Sequence, residues 1–177
     1  YFGDDAVEVW ATTLEQAGLG AARLGLELDF RGLTPGELAR LQARLPRLRI
    51  VNVSALTRAA REVKSDEEIA LFREVARLNR IGFQALVDAL RPGITGLEGY
   101  QAMQRALVDA GSDAPHIEIL LGGSTALPHA EQEPSVRLRP GDVAFTEFSG
   151  ELARYSTGLV RSALFGRNPD VEALYRV

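Results

Sequence analysis

Apolar residues recur at helical spacing through Val7, Trp10 and Leu14, with Asp4 or Asp5 in front as an N-cap and Gly18 behind as a stop. Arg23 to Asp29 alternates in the manner of a strand. Thr34-Pro35-Gly36-Glu37 then opens a second helix: Thr34 is the cap, Pro35 sits in the first turn and Glu37 closes a capping box. Leu38, Leu41 and Leu45 form its buried stripe, and Pro46 ends it. Arg49 to Val53 reads as another strand. Beyond it, Ser65-Asp66-Glu67-Glu68 caps a long helix carrying Ile69, Phe72, Leu86 and Leu90, interrupted mildly at Gly82 and stopped by Arg91-Pro92-Gly93. Thr95-Gly96-Leu97-Glu98 caps the next helix, which runs through Met103 and Leu107 to Gly111. Ile117–Leu121, Val143–Phe148 and Leu159–Phe165 are strand-like and separated by Gly/Pro/Ser turns.

Helix and strand alternate over the first part of the chain, which predicts parallel pairing in an α/β unit. Only about fifty residues take part, too few for a complete sheet. Residues 1–57 are therefore expected to be the tail of a larger N-terminal domain, and residues 58–177 an α+β domain, with the boundary near Arg58–Lys64. Composition narrows the function classes. The chain has 177 residues, 46% of them hydrophobic and 25% charged, as in ordinary globular proteins, and its net charge of -4 offers no basic footprint for nucleic acid. There is no cysteine, so disulfides and cysteine metal sites are excluded and a reducing cytoplasm is compatible. No stretch approaches the roughly 18 uncharged apolar residues that would span a bilayer as a helix. The first residue is Tyr1, with no signal-peptide pattern after it, which suggests a chain that begins inside a longer one.

Several segments in order resemble the creatinase/aminopeptidase P/prolidase superfamily, peptidase family M24, which has the pita-bread fold. Arg61 to Ile69 resembles the R-x-V-K-S-x-x-E-I junction that opens the catalytic domain of Xaa-Pro peptidases. Arg91 to Thr95 resembles R-P-G-x-T, Gly123 to His129 resembles G-x-x-x-x-P-H, and Leu138 to Asp142 resembles L-x-x-G-D. Tyr155 and Arg161 sit where the family shows G-Y-x-x-D-x-x-R-T. Each fragment is weak alone; their order over residues 58–166 makes the likeness specific. The resemblance implies the tail of a creatinase-type N-terminal domain followed by the first half of a pita-bread domain. It also implies a fragment that stops where the second half of the site would begin, and that is inactive by itself.

In the metallopeptidases of this family, two hairpin aspartates join later residues to hold a metal pair, often Mn or Co, that polarises the scissile carbonyl and supplies hydroxide. The first aligns with Glu147, whose extra methylene displaces its oxygens, and the second with Gly158, which has no ligand atom. No metal or other cofactor is therefore expected. Asp142 is the family's turn aspartate, expected to bond the backbone there. Creatinase and ectoine hydrolase lack the metal set and keep the histidine as a proton shuttle, a role suited to a group titrating near pH 6.5. By resemblance His129 is the general acid/base, and Glu147 orients a substrate cation or a water. Tyr155, Arg161 and Arg154 are the candidate substrate-binding residues. Val160 stands where creatinase has a glutamate, which argues against creatine as substrate.

Plainer readings stand beside these. His129 could be a turn histidine, and His116 is expected at a strand entrance facing solvent. A carboxylate at 147 on an apolar strand must be paired or functional, because burying it alone costs several kcal/mol; an ion pair with Arg161 and a catalytic role are both open. Arg154 in a hairpin turn could simply be solvated. Trp10 reads as core and Gly122-Gly123 as a turn. The functional expectation is a C–N bond hydrolase of Xaa-Pro peptidase or creatinase type acting on a small peptide or nitrogenous substrate, as a cytoplasmic homodimer. The competing one is a non-catalytic pita-bread module that binds a peptide or protein.

Overall fold

Local signals place most elements where the sequence puts them. The computed structural model describes residues 5–29, 32–126 and 134–176. The chain divides into two units, Tyr1–Lys64 and Ser65–Val177.

In the first unit the Asp5 carboxylate accepts from the Val7 amide at 3.0 Å and starts α1 (Ala6–Gln16). The Thr34 capping box starts α2 (Pro35–Arg44). Strands β1 (Arg23–Leu26) and β2 (Arg49–Asn52) pair in parallel, Leu24 opposite Ile50. The helices bury Val7, Ala11, Leu41 and Leu45 against Leu48, Leu24 and Ile50, so hydrophobic burial on one sheet face holds the unit. One expectation fails here, and one element was not foreseen. Trp10 is not core: it is 38% exposed and, with Leu14, Leu24, Leu26 and Leu33, lines an apolar cavity of about 440 Å³. Residues 54–62, for which no element was predicted, form α3 (Ser54–Glu62) with no side-chain cap and Leu56 69% exposed.

In the second unit the capping boxes at Ser65 and Thr95 start α4 (Asp66–Ala89) and α5 (Gly96–Asp109). They pack closely at Gly82, where a Cβ would meet the Leu107 side chain at 2.9 Å. The strands are β3 (His116–Leu121), β4 (Val143–Ser149), β5 (Glu151–Leu152), β6 (Tyr155–Ser156) and β7 (Leu159–Leu164); a 3₁₀ turn, Gly122–Ala126, follows β3, and α6 (Pro169–Leu174) ends the order. The sheet order is β3-β4-β7, antiparallel throughout, and β5-β6 is a separate two-stranded ribbon.

Two sequence motifs meet in the turns. The Gly93 amide donates to the Leu138 carbonyl at 2.8 Å, and the Leu138 amide to the Ile94 carbonyl at 3.0 Å. The Asp142 carboxylate accepts from the Arg139 amide at 2.8 Å, the backbone role expected of it. Strand alternation then sorts the sheet into two faces. Ala144, Thr146 and Phe148 of β4, with Ile119 and Leu121 of β3, are buried, and Ala144, Phe148, Ile119 and Leu121 join Leu86 of α4 and Met103 of α5 in one cluster. The other face carries Phe145 and Glu147. Among the described residues no helix is long and apolar enough to cross a membrane.

Candidate active site

Glu147 lies in the middle strand of the sheet, near the end of β4. Its Cα partners are Glu118 on β3 and Val160 on β7. Directly opposed residues of antiparallel strands project from one face, with Cβ atoms roughly 4.5–5.5 Å apart. Two half-buried carboxylates therefore stand side by side on the face away from the helices. Like charges so placed repel, and such an arrangement favours a nearby cation. Glu118 was not singled out from the sequence, although its own signal was there: one charge inside the apolar run of β3, as at Glu147.

The register also removes one of the two readings of Glu147. Arg161 faces Thr146, not Glu147, so it projects from the opposite face; it is exposed, and its Nη1 donates to the Val160 carbonyl at 2.8 Å. The ion pair Arg161–Glu147 is not formed. The error is one of parity, since a shift of one residue in register exchanges the faces of a strand.

Past Glu147 the chain turns through the β5-β6 ribbon and returns to Gly158 at the start of β7. Polar groups of the helix layer tie this hairpin down. Asn79 of α4 accepts from the Gly150 amide at 2.7 Å and donates to the Thr157 carbonyl at 2.8 Å. Ser112 donates to the Glu151 carbonyl at 3.1 Å and accepts from its amide at 2.9 Å, and Asp113 accepts from the Ala153 amide at 2.7 Å. At the tip, the Tyr155 hydroxyl donates to the Glu68 carboxylate at 2.7 Å and its ring meets Phe72 edge-on at 5.4 Å. The Glu68 carboxylate beside it, and then burial, hold the Tyr155 phenol above its usual range. Arg154 occupies the exposed turn at positive φ, 3.9 Å from Glu151. The structure thus brings Glu147 together with Glu118. It places Tyr155 and Arg154 on the ribbon beside α4, and Arg161 on the other face of β7.

His116 begins β3 and is exposed, as expected. His129 lies outside the described residues. Among the described residues no three His, Cys, Asp or Glu side chains gather closely enough to hold a metal ion. Gly158 contributes no donor, and a Cβ built there would meet none of the described residues within 4 Å.

Comparison with known proteins agrees with the sequence motifs. The profile described as metallopeptidase family M24 matches residues 70–177. Creatinase from Bacillus sp. is 33% identical over 84% of this chain and 38% of its own length. The uncharacterized peptidase YqhT of Bacillus subtilis is 24% identical over 99% of this chain and 49% of its own. The fold is that of the solved Xaa-Pro dipeptidase from Bacillus anthracis, with a TM-score of 0.82, 21% identity, 98% of this chain and 48% of that one. It is equally that of X-Pro aminopeptidase from Thermotoga maritima, with a TM-score of 0.86, 18% identity and the same shares. The chain spans about half the length of these relatives or less.

Proposed function

Because the chain belongs to metallopeptidase family M24, we propose that this protein is a hydrolase of C–N bonds, of the Xaa-Pro peptidase and creatinase type. The observation that carries the proposal is the position of Glu147: a half-buried carboxylate on the sheet face opposite the helices, beside a second carboxylate at Glu118. In this reading Glu147 orients a cationic group of the substrate or the attacking water, and Glu118 adds negative charge at the same spot. His129 is the general acid/base, taking a proton from water and delivering it to the leaving nitrogen. The substrate is a small peptide or nitrogenous compound, and the protein works as a cytoplasmic homodimer.

A family of metallopeptidases implies a divalent metal pair, and the residues of this hairpin do not fit one. Position 158 is glycine, and Glu147 stands where a shorter aspartate is expected. No step of the proposal passes through a metal.

The test measures hydrolysis of Xaa-Pro dipeptides, creatine and ectoine by the full-length parent of this chain and by its His129→Ala and Glu147→Gln variants, with metal analysis of each preparation. Turnover on one of these that falls by about 10²–10⁴-fold in His129→Ala supports the assignment. Xaa-Pro cleavage that requires stoichiometric manganese, cobalt or zinc overturns the acid/base route. Tight peptide binding without turnover on any C–N substrate establishes a binding module instead.

A further inference from the structure

The β4-β7 and β5-β6 ladders share one register, since Phe148 faces Leu159 and Glu151 faces Ser156. Between them Ser149 and Gly150 form no ladder pair with Gly158 and Thr157, although Ser149 pairs with His116 on its other side, and a side chain from α4 enters the gap. Asn79 is 2% exposed, and its amide offers the donor and acceptor of a peptide unit. Oδ1 accepts from the Gly150 amide at 2.7 Å, while Nδ2 donates to the Thr157 carbonyl at 2.8 Å and to Thr157 Oγ1 at 3.0 Å. An amide proton only donates and a carbonyl only accepts, so these partners fix which way the Asn79 amide points. Ser149 Oγ completes the seam by accepting from the Thr157 amide at 2.9 Å. Glycine at 150 permits the approach, because a Cβ there would lie 3.1 Å from Leu78 Cβ.

We propose that Asn79 is a positioning residue of the site: by bridging Gly150 to Thr157 it holds the break in the hairpin just beyond Glu147 and just before β7. It thereby sets where the Glu147 carboxylate and the open space over Gly158 stand. A buried asparagine in mid-helix serves no helical purpose, since its side chain competes for backbone groups. Its side-chain hydrogen bonds to described residues all go to this one seam. The consequence for catalysis rests on the reading of Glu147 above; the seam itself does not.

The experiment follows backbone amides by NMR in the wild type, Asn79→Leu, Asn79→Asp and Thr157→Val. In Asn79→Leu, exchange of the Gly150 amide should quicken by about tenfold relative to Ile119 in β3, the effect of one lost net hydrogen bond, and the Glu147 and Gly158 amide shifts should move with it. Thr157→Val keeps the carbonyl acceptor and should give about two- to threefold. Asn79→Asp lacks the donor to Thr157 at neutral pH; as its new carboxyl takes up a proton, the Glu147 and Gly158 shifts should return toward wild type. A role in filling space alone shows no such return. If Asn79→Leu does not fold, the other two variants decide on the same shifts. The proposal is overturned if folded variants quicken Gly150 and Ile119 alike, with Glu147 and Gly158 unmoved. None of these readings needs turnover, so failure of the hydrolase assignment is seen separately.

Discussion

The two faces of the β3-β4-β7 sheet come from the same strands and behave differently. On the face toward α4 and α5, Ala144, Thr146 and Phe148 are fully buried, and Phe148 stacks on Phe83 with ring centroids 6.3 Å apart. On the other, Glu118 faces Glu147 and Val160 is 48% exposed. Interiors packed like crystals tolerate little change, whereas a face that keeps charge and open space is where chemistry has room. The contrast assigns stability to the even-numbered residues of β4 and puts Glu147, the residue of the proposed function, on the less packed face.

The strongest way to break this contrast is Phe148→Ala. Removing a fully buried ring from the main cluster should cost about 3–5 kcal/mol, read as a lower urea midpoint at unchanged m-value. A loss below about 1 kcal/mol, the size of an ordinary surface change, would mean that this face is not the core. Gly82→Val probes the helix layer behind it. Its Cβ alone would approach Leu107 to 2.9 Å, and Leu107 is fully buried, so overpacking should cost about 1–3 kcal/mol in the same measurement.

These buried positions were largely legible in the sequence, because apolar periodicity and capping boxes are local signals. The boxes at Thr34, Ser65 and Thr95 all form as expected. What escaped was set by tertiary context. The hairpin turn expected at Arg154 forms, but it uses Ala153 and Arg154 at positive φ, where such turns ordinarily show Asn or Gly, so the residues did not define its type or register. Helix α3 has no side-chain cap to announce it. The partner of Glu147 depends on register, which the sequence left open; an ion pair with Arg161 therefore stood as one of two readings until the register set Arg161 opposite Thr146. Asn79 looks like an ordinary polar helix residue until its burial is known. The family motifs, by contrast, needed only order along the chain.

A smaller effect concerns the helix that covers the packed face. At the start of α5, Glu98 accepts from the Thr95 amide at 2.9 Å and from Arg91 at 2.7 Å. The Thr95 amide chiefly, then its hydroxyl, hold the Glu98 carboxyl below its ordinary 4.5. A depressed folded value stabilises the fold above the unfolded value and loses that contribution as pH falls through the folded one. Glu98→Gln should therefore lower the urea midpoint slightly at neutral pH, and the gap between variant and wild type should close on acidification below 4.5. A gap that stays constant with pH would show that the carboxylate charge contributes nothing to the cap.

The smallest change is expected on the opposite face, at Gly158→Asp. A glycine can be required by a positive φ or by a close neighbour, and among the described residues Gly158 has neither: its φ lies outside the left-handed range and its Cβ would meet none of them within 4 Å. The substitution should alter stability by no more than about 0.5 kcal/mol, as at an unconstrained surface site. Asparagine at the same position separates side-chain size from charge beside Glu147. If both variants cost more than about 1 kcal/mol, the space over Gly158 is filled by something the protein needs for folding, and the two faces differ less in packing than their exposure indicates. If only aspartate does, the cost is repulsion between carboxylates, which adding salt should relieve. A neutral result for both leaves the missing side chain at 158 as a feature of the site's chemistry rather than of its packing.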